Sequence, residues 1–494
     1  MLSEGNEARH DGYQEVIVLH SIVEVGEPTR GTQWREGSIG LTDLVEGKMT
    51  ETPSLEIILT KQHKIATLAS RKRNVALETL AHHIDLEWLR EAYRQTRKTG
   101  AVGVDGVDTE MYEGHLDENL QSLLDRFKSG SYRAPAVRRV YIEKDGGKET
   151  RAIGIPTLED KILQRAVLMV LEPVFEQDFL DCSYGFRPGR SAHGALEYLR
   201  NGLMNLGGGW IIDLDIRQFF DRVDRRHLNE MLDQRVVDGV IRRVVGKWMH
   251  AGVMEGQVLS YPELGTPQGG VISPLISNIY LHEVLDTWFE NQVKPRLRGR
   301  AFMVRFADDA TLCFEHEEDA RKVMAVLPKR LNRFGLELNE VKTKLVPFKR
   351  PHIGLPTEDK PSHSSFDFLS FTHFWARSRK GYWVIKRKTA KNRFSRSLKR
   401  VSEWCRHHRH RSVAEQHQML NQKLQGHYAY FGITGNSRSI VRFHREVERI
   451  WRKWLGRRSH KSHITWERFQ RLLKHYPLAP PRVIHKMYYQ PAKP

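Results

Sequence analysis

The alternation of apolar and polar residues predicts helices and strands along much of this chain of 494 residues. Alternation with a period of two predicts a strand at Val137–Tyr141, and Asp145-Gly146-Gly147 predicts a hairpin turn whose second strand carries Arg151. Helices mixed with an antiparallel hairpin predict an α+β fold. Apolar residues near helical spacing predict helices at 61–97, 117–128, 158–171, 238–249, 317–334, 387–406, 421–431 and 437–455.

Two segments lack such a pattern. Residues 1–60 show weak periodicity, which predicts a poorly ordered extension, and Met49 offers an alternative start of translation. Residues 351–365 are rich in Pro and Ser and predict a loop. The chain shows no internal repeat, so a solenoid is not expected.

The most informative residues are aspartates inside strand-like apolar runs. Asp308 and Asp309 lie between two such runs, which predicts a strand, a tight turn carrying both aspartates, and a second strand. Asp213 and Asp215 alternate, so their side chains point to the same face of a strand. A carboxylate in a half-buried strand is costly unless it is paired or binds metal. Adjacent carboxylates repel unless a cation lies between them, and carboxylate oxygens suit Mg²⁺.

Each aspartate also has an ordinary structural explanation. Asp is common in turns, so an isolated Asp-Asp pair is more often a turn than a site. Asp215 precedes a predicted helix and is suited to be its N-cap. Asp213 lies further up the strand and is as compatible with a structural role as with a supporting one. Two carboxylate segments together, however, supply the ligands of two-metal phosphoryl transfer, in which the metals hold the attacking and leaving oxygens.

The net charge is concentrated at one end of the chain. The formal charge is +19, with 79 basic and 60 acidic residues. Residues 386–494 contain 27 Lys and Arg but 5 Asp and Glu, a net charge of +22, whereas residues 1–385 have a net charge of −3. A generic solvated face would not concentrate charge in this way. A surface that binds a polyanion would, because phosphate contacts release counterions.

Composition argues against several other classes of protein. No apolar run approaches the roughly 18 residues that a membrane span requires. The N-terminus lacks a basic region followed by an apolar stretch, so we expect no secretory signal. Cys182, Cys313 and Cys405 are too scattered for a disulfide framework or a paired-cysteine zinc site. These features predict a cytoplasmic protein that does not act at a membrane.

Several motifs occur together in the order typical of one family. Residues 215–221, then 265–275, then Phe306-Ala307-Asp308-Asp309 resemble the palm of a reverse transcriptase. More narrowly, the chain resembles the group II intron-encoded reverse transcriptase and maturase family over about residues 81–478. Further segments that match the family are 104–106, 151–157, 160–161, 184–191, 339–344 and 366–369.

The resemblance implies a right-hand polymerase with an antiparallel palm sheet. It implies fingers and palm over residues 61–375, a basic helical thumb and maturase domain over 376–480, and a tail at 481–494. It implies two Mg²⁺ ions as cofactors. Their ligands would be Asp215, Asp308 and the backbone carbonyl of Ile216, with Asp309 as a more peripheral carboxylate, and the three aspartates would be the catalytic residues.

The resemblance also assigns residues to the incoming nucleotide. Phe220 would exclude a 2′-hydroxyl by its bulk, which implies dNTP use, unless it is a core aromatic. Lys144 and Arg151 on the finger hairpin would hold the triphosphate, although a solvated hairpin face is the usual alternative. Gln268 lies in a turn rich in Pro and Gly, which lets the backbone approach nucleotide and template. Lys342 is as compatible with neutralising the leaving pyrophosphate as with being a surface lysine.

The chain departs from the family pattern at two positions. Phe306 stands where Tyr usually precedes Ala-Asp-Asp, and we expect the lost hydroxyl to affect primer-end contacts and fidelity rather than metal binding. Ser370 stands where Gly often follows Phe-Leu, so we expect a shifted local turn.

The basic C-terminal part is predicted to bind RNA. Aromatic residues alternate there with charges, and aromatic rings can stack on unpaired bases, although any single one is more often part of a helical core. His407, His408 and His410 are interpreted as a basic turn facing RNA rather than as a metal site. The residues predicted to contact RNA are Arg187, Arg396, Lys399, Arg400, Arg457 and Arg458.

Three functions are compatible with these expectations. The first is an RNA-directed DNA polymerase that binds intron RNA, assists its splicing as a maturase and copies it at a DNA target. Its partners would be intron RNA, an RNA template, a DNA primer and dNTPs. A homodimer is one expected assembly, and the protein would associate with the bacterial nucleoid when it acts on DNA. The second is a stand-alone reverse transcriptase of group II origin in host repair or defence. The third is an RNA-binding protein with an inactive palm, against which the intact aspartates argue. No paired cysteines follow residue 478, so we expect no His/Cys-rich endonuclease domain.

Overall fold

The computed structural model describes residues 53–73, 75–143, 150–256, 258–261, 269–351, 365–458 and 463–486. The chain folds into two units, and each is built from segments that are separate in sequence. Unit 1 contains the chain up to residue 181 together with 217–287 and 331–337, and unit 2 contains 182–216, 288–330 and the chain from 338 onward. The predicted division at residue 375 does not separate these units, and the strand Phe371–Arg377 runs across it.

Helices and strands alternate along the described residues. The helices are α1 (Pro53–Arg71), α2 (Leu86–Gln95), α3 (Thr109–Glu113), α4 (Leu116–Ser129), α5 (Leu158–Phe175), α6 (Ala192–Leu206), α7 (Phe219–Arg222), α8 (Arg225–Asp233), α9 (Gly239–Met249), α10 (Ser273–Leu281), α11 (Glu317–Asn332), α12 (Lys391–His407), α13 (Val413–Phe431), α14 (Ser437–Leu455) and α15 (Trp466–His475). The strands are β1 (Val137–Glu143), β2 (Thr150–Ile155), β3 (Trp210–Leu214), β4 (Val253–Glu255), β5 (Val258–Ser260), β6 (Ala301–Phe306), β7 (Asp309–Phe314), β8 (Lys344–Pro347), β9 (Phe366–Phe368), β10 (Phe371–Arg377) and β11 (Trp383–Thr389).

Unit 1 combines a helical core with a small sheet of order β2-β1-β4-β5. The predicted hairpin is confirmed, since β1 and β2 pair antiparallel with Val140 opposite Ile153. Its turn, residues 144–149, lies outside the described residues. Helix α5 is buried along most of its length and packs against α1 and α2. Pro173 lies within α5, which continues to Phe175, so the helix extends beyond the predicted end at residue 171.

Two predicted helix boundaries are also wrong. Helix α1 begins at Pro53, inside the segment predicted to be poorly ordered, and ends at Arg71 instead of continuing to 97. The buried Arg235 donates to the carbonyls of Ala69 and Lys72 and to the carboxylate of Asp178, which satisfies the carbonyls that α1 leaves open at its C-terminus.

The third boundary concerns residues 387–389, which form the end of β11 instead of the start of the basic helix predicted at 387–406. Strand β11 alternates in burial and pairs antiparallel with β10, with Ile385 opposite Trp375. Helix α12 starts only at Lys391. A strand and a basic helix follow one another here with no Gly or Pro between them, so sequence periodicity merged them.

Unit 2 contains the sheet that carries the aspartates, in the order β6-β7-β3-β8, with every described pairing antiparallel. Helix α6 packs against β6, and a Cβ added at Gly202 would lie 2.4 Å from the ring of Phe302. A second sheet, β11-β10-β9, is also antiparallel. The predicted mixture of helices and antiparallel sheets is therefore confirmed, while the right-hand arrangement stays a prediction.

The basic helices α12 to α15 share one apolar core. Trp451 is buried there, and its Nε1 donates to Gln416 Oε1 at 3.0 Å. The ordinary interpretation of the aromatics is therefore correct for most of them, because they fill this core. Trp466 differs, since it is 44% exposed and the Arg452 guanidinium lies 4.1 Å from its ring centroid. The buried aromatics of this part are Trp404, Tyr428, Tyr430, Phe431, Phe443, Trp451 and Phe469.

Two other expectations concern single residue types. Cys182, Cys313 and Cys405 are all buried and unbridged. His407 and His408 each place Nδ1 2.9 Å from a backbone carbonyl one helical turn earlier, that of Glu403 and that of Trp404. Across the described part of the chain, no helix is both long enough and apolar enough to cross a membrane.

The turn between β9 and β10 yields a testable prediction. Leu369 and Ser370 have φ angles of 47° and 68°, so Ser370 occupies the left-handed region that glycine adopts freely. We expect Ser370→Gly to raise the free energy of unfolding by roughly 0.5–1 kcal/mol, because the relieved strain exceeds the extra chain entropy of glycine. The measurement is urea unfolding followed by tryptophan fluorescence.

A matched control is Ser395→Gly on the exposed face of α12, where glycine should lower stability by roughly 0.5 kcal/mol. A loss of stability in both variants would mean that the turn at Ser370 is not strained.

Candidate active site

The aspartate pair lies at a two-residue hairpin between β6 and β7. Phe306 pairs with Asp309, so the turn consists of Ala307 and Asp308. The predicted strand, turn and strand are confirmed, but Asp309 is the first residue of β7 rather than part of the turn. Ala307 has a φ angle of 56°, a left-handed conformation that costs a residue with a Cβ roughly 1–2 kcal/mol.

Asp215 lies directly after β3 and is held by a second segment of unit 2. Asn339 Nδ2 donates to Asp215 Oδ1 at 2.8 Å, and Lys342 Nζ lies 3.9 Å from Oδ2. The backbone is fixed as well, since Asn339 N donates to the Asp215 carbonyl at 2.9 Å and Asp215 N donates to Thr343 Oγ1 at 3.2 Å. Helix α7 starts only at Phe219, so Asp215 is not its N-cap.

Strand register brings both aspartate segments to the same end of the sheet. Leu214 pairs with Ala310, and one further step along this antiparallel register sets Asp215 opposite Asp309. Directly opposed residues on neighbouring strands have Cβ atoms about 4.5–5.5 Å apart. The Asp215 side chain is 35% exposed, and Asp309 also reaches solvent, so both carboxylates are accessible to a ligand from solution.

Repulsion among the carboxylates changes their proton affinities. Partial burial, together with the charges of Asp215 and Asp367, raises the pKa of Asp213 to about 6. The protein atoms around the Asp309 carboxylate, followed by the negative charge of Asp308, raise the pKa of Asp309. A cation bound between these carboxylates would compensate their negative charge and so favour their ionised form.

This donor set suits Mg²⁺, which prefers carboxylate oxygens. Within the described ranges, no three His, Cys, Asp or Glu side chains are already gathered as a complete metal site. That arrangement is compatible with Mg²⁺, because this ion commonly takes one or two carboxylates and fills its other positions with water and substrate phosphates. Asp215, Asp308 and Asp309 are the residues that would hold it.

Ile216 was predicted to contribute its backbone carbonyl. It is buried and lies in an isolated antiparallel bridge opposite Leu338. The hydrogen bonds beside this bridge are made by its neighbours, Arg217 N to Glu337 O and Asn339 N to Asp215 O. The bridge therefore fixes the Ile216 backbone, and a metal contact from its carbonyl stays a prediction.

Residues 182–187 support the hairpin of Ala307 and Asp308 from within unit 2. Arg305 N donates to the Cys182 carbonyl at 2.7 Å, and Tyr184 N donates to the Arg305 carbonyl at 2.8 Å. Arg187 is 6% exposed, and its Nη1 donates to the Ser183 carbonyl at 2.8 Å. Arg187 is thus built into this support, and its burial does not favour the RNA contact that was predicted for it.

The residues predicted to contact the nucleotide are only partly described. Lys144 and Gln268 lie outside the described residues. Arg151 lies in β2, opposite Ile142. Phe219 is buried and its ring meets that of Tyr280 edge-on, whereas Phe220 is half-buried. Phe219 is therefore the core aromatic of the pair, and a steric role for Phe220 stays a prediction.

The residues predicted to contact RNA differ in exposure. Lys399, Arg400 and Arg457 are exposed, as such a contact requires. Arg396 is half-buried, and Arg458 donates through Nη2 to the Arg411 carbonyl at 2.7 Å. Three of these five residues of the helical part are thus available to a ligand without rearrangement.

Sequence analysis missed another group of exposed cations. Four arginines lie on one face of α14 and are here called the arginine stripe. Their spacing of three or four residues is visible in the sequence, so helical periodicity applied to charges instead of apolar residues would have found them. The arginine stripe consists of Arg438, Arg442, Arg445 and Arg449.

Comparison with known proteins agrees with this geometry. The family model described as reverse transcriptase (RNA-dependent DNA polymerase) matches residues 142–373, which include all three predicted catalytic aspartates. Protein YkfC of Escherichia coli strain K12 is 35% identical over 362 residues, which cover 66% of this chain and 90% of that protein. The chain belongs to the group II intron-encoded reverse transcriptase and maturase family.

Two further relatives are named for introns. Group II intron-encoded protein LtrA of Lactococcus lactis subsp. cremoris is 36% identical over 194 residues, 39% of this chain and 32% of that protein. Nuclear intron maturase 4, mitochondrial, of Arabidopsis thaliana is 25% identical over 229 residues, 46% of this chain and 27% of that protein. The chain therefore matches between a quarter and a third of each of these longer members of the family.

Asn339 provides the test of this site. We expect Asn339→Ala to weaken Mn²⁺ binding, used as a probe for Mg²⁺, by about 10-fold, because partners that orient a metal ligand typically contribute 10–100-fold to affinity. Isothermal titration calorimetry measures the affinity directly. Asn332→Ala, at the exposed end of α11, is the matched control and should bind Mn²⁺ as the wild type does. Unchanged binding by Asn339→Ala would contradict the role of Asp215 as a ligand held by Asn339.

Proposed function

We propose that this protein is an RNA-directed DNA polymerase that binds a group II intron RNA, assists its splicing and copies it into DNA. The observation that carries the polymerase activity is the arrival of Asp215, Asp308 and Asp309 at one end of the sheet that β3, β6 and β7 form. Membership of the family supports the choice of an intron RNA as the partner.

The proposed chemistry uses a pair of Mg²⁺ ions, which when bound activate the primer hydroxyl and neutralise charge on the leaving pyrophosphate. Asp215 and Asp308 would hold both ions, with Asp309 at their edge. Asn339 keeps the Asp215 carboxylate in one orientation through its 2.8 Å hydrogen bond. Lys342 is 65% exposed and its Nζ lies 3.9 Å from Asp215 Oδ2, which supports a contact between its ammonium group and the departing pyrophosphate.

Nucleotide selection is assigned to four residues of the family motifs. Phe220 would exclude a 2′-hydroxyl, and its half-buried side chain leaves a surface for that contact. Arg151 and Lys144 would hold the triphosphate, and Gln268 would contact nucleotide or template. These assignments rest on the family motifs rather than on contacts in the structure.

RNA binding is assigned to the helical part of unit 2. Residues 386–494 carry a net charge of +22, and the arginine stripe gathers four of these cations on one exposed helix face. Residues three or four apart on a helix have Cβ atoms about 5–6 Å apart, so the four arginines are neighbours along one face. Phosphate contacts of this kind position an RNA without reading its sequence.

Asp308→Asn is expected to lower Mg²⁺-dependent dNTP incorporation on a primed RNA template by at least about 1,000-fold, because it removes a charge that both metals share. RNA affinity should stay within about twofold, since the basic surface is separate in sequence from the hairpin. Asp125→Asn, at an exposed carboxylate on α4, is the matched control and should retain activity. Substantial incorporation by Asp308→Asn would remove the site assignment.

A double charge reversal tests the arginine stripe. We expect Arg438→Glu with Arg445→Glu to weaken intron RNA binding and to reduce the slope of log K against log salt concentration by about 1 for each lost phosphate contact. Lys322→Glu with Lys329→Glu, on exposed positions of α11, changes the net charge equally and should leave the slope unchanged. Filter binding at several salt concentrations gives the slopes. Equal slopes in the two variants would show that the arginine stripe is only a solvated face.

A splicing assay on the same double variant separates maturase function from polymerase activity. Loss of protein-stimulated splicing with retained incorporation on a short primed template would support a maturase. Wild-type protein that polymerises but never stimulates splicing of group II intron RNA would instead favour the stand-alone reverse transcriptase.

A further inference from the structure

The hairpin of Ala307 and Asp308 contains a residue whose backbone conformation is unfavourable for its type. Ala307 occupies the first position of the two-residue turn with φ at 56°, where glycine is the usual residue. Its carbonyl belongs to the peptide group that leads into Asp308. The orientation of that peptide group sets the direction in which the Asp308 carboxylate points. Something other than local preference must therefore hold the turn.

Arg305 makes the contact that does so. It lies in β6, two residues before Ala307, and its side chain is completely buried. Nη1 donates to the Ala307 carbonyl at 2.9 Å, and Nη2 donates to Ser183 Oγ at 2.7 Å. One rigid guanidinium thus connects the strained turn to the supporting segment 182–187. Arginine suits this position because its planar group offers several donors in fixed directions.

The same segment blocks the turn from its other side. A Cβ added at Gly185 would lie 2.3 Å from Ala307 N, so the backbones of these two residues are in close contact. The rings of Phe186 and Phe306 also meet, with centroids 6.2 Å apart. The turn is therefore enclosed by backbone contact at Ala307 N and by a hydrogen bond at its carbonyl.

We propose that Arg305 is a positioning residue which, anchored by Ser183, holds Ala307 in its left-handed conformation and so directs the Asp308 carboxylate toward the metal site. This inference rests on the proposed polymerase function for its kinetic consequence. It makes the segment 182–187 part of the catalytic apparatus without any contact with substrate. Arg305, buried in a strand, would act only through the backbone of the turn.

The first variant is Arg305→Lys, which keeps the charge but cannot reach both the Ala307 carbonyl and Ser183. We expect kcat for single dNTP incorporation to fall by about 100-fold, because misplacing a catalytic group by about 1 Å costs that much. KM for dNTP and the Kd for RNA should stay within about threefold, since neither substrate touches Arg305. Thermal unfolding measured in parallel reports whether the variant is folded.

The second variant separates positioning from general packing. Ala307→Gly removes the Cβ that makes the left-handed turn unfavourable. If Arg305 acts by holding that turn, Arg305→Lys with Ala307→Gly should recover at least about 10-fold of the lost kcat relative to Arg305→Lys alone. A lost packing contact around Arg305 would not be restored by a glycine two residues away. Absence of recovery would therefore overturn the proposal, as would an Arg305→Lys enzyme with kcat within threefold of the wild type.

Two further measurements keep the test decisive. If Arg305→Lys does not fold, Ser183→Ala removes only the anchor of Nη2 and is expected to lower kcat by about 3–10-fold, again with recovery on adding Ala307→Gly. Mn²⁺ affinity by calorimetry is measured for every variant, and it should weaken at least threefold in Arg305→Lys and recover in the double variant. If the wild-type protein binds Mn²⁺ but never polymerises, the proposed function alone is contradicted. If the Arg305 and Ser183 variants keep both their Mn²⁺ affinity and their kcat, the positioning role is contradicted.

Discussion

Mutual repulsion among aspartates is the constraint on which the rest of unit 2 depends. Several carboxylates meet at one end of a four-stranded sheet, and the pKa values of Asp213 and Asp309 are raised first by burial and then by the neighbouring negative charges. The structure offsets this repulsion with fixed groups. Asn339 donates to Asp215, Lys342 supplies a nearby positive charge, and strand pairing prevents the backbones from separating. A cation that binds here is therefore attracted by charge that the fold has already assembled.

Residues with unfavourable backbone conformations lie near the candidate functional segments. In the described residues, each non-glycine residue with positive φ lies within or directly beside a segment that matches the family motifs. Strained backbone of this kind persists only when the surrounding contacts over-determine it, and it concentrates at functional sites. At the hairpin of Ala307 and Asp308 the surrounding contacts come from Arg305 and Gly185. The residues concerned are Phe186, Gln218, Ala307, Leu369 and Ser370.

Many elements of the fold were predictable because their signals are local. Helix α14 has the predicted bounds, and helix α4 ends at Gly130 through its left-handed C-cap. The finger hairpin followed from period-two alternation and a glycine turn. Errors arose where a distant residue decides the outcome. Arg235 terminates α1 by hydrogen bonds from more than 160 residues away, and β11 becomes a strand because β10 pairs with it. Helix and strand propensities depend on the local sequence, so they do not include contacts with distant partners.

Some features of the candidate site also followed from the local sequence, while others depended on the tertiary structure. The amino-acid sequence by itself determined the three aspartates, the family, the predicted Mg²⁺ chemistry and the concentration of positive charge after residue 386, because residue identity and spacing carry these directly. Only the tertiary structure decided that Asn339 donates to Asp215, that Arg187 is buried, and that Arg305 donates to the carbonyl of Ala307 in the turn. A charged side chain has the same appearance in a sequence whether it is solvated or buried. Its role is set by which backbone and side-chain groups the fold brings to it, and those lie far along the chain.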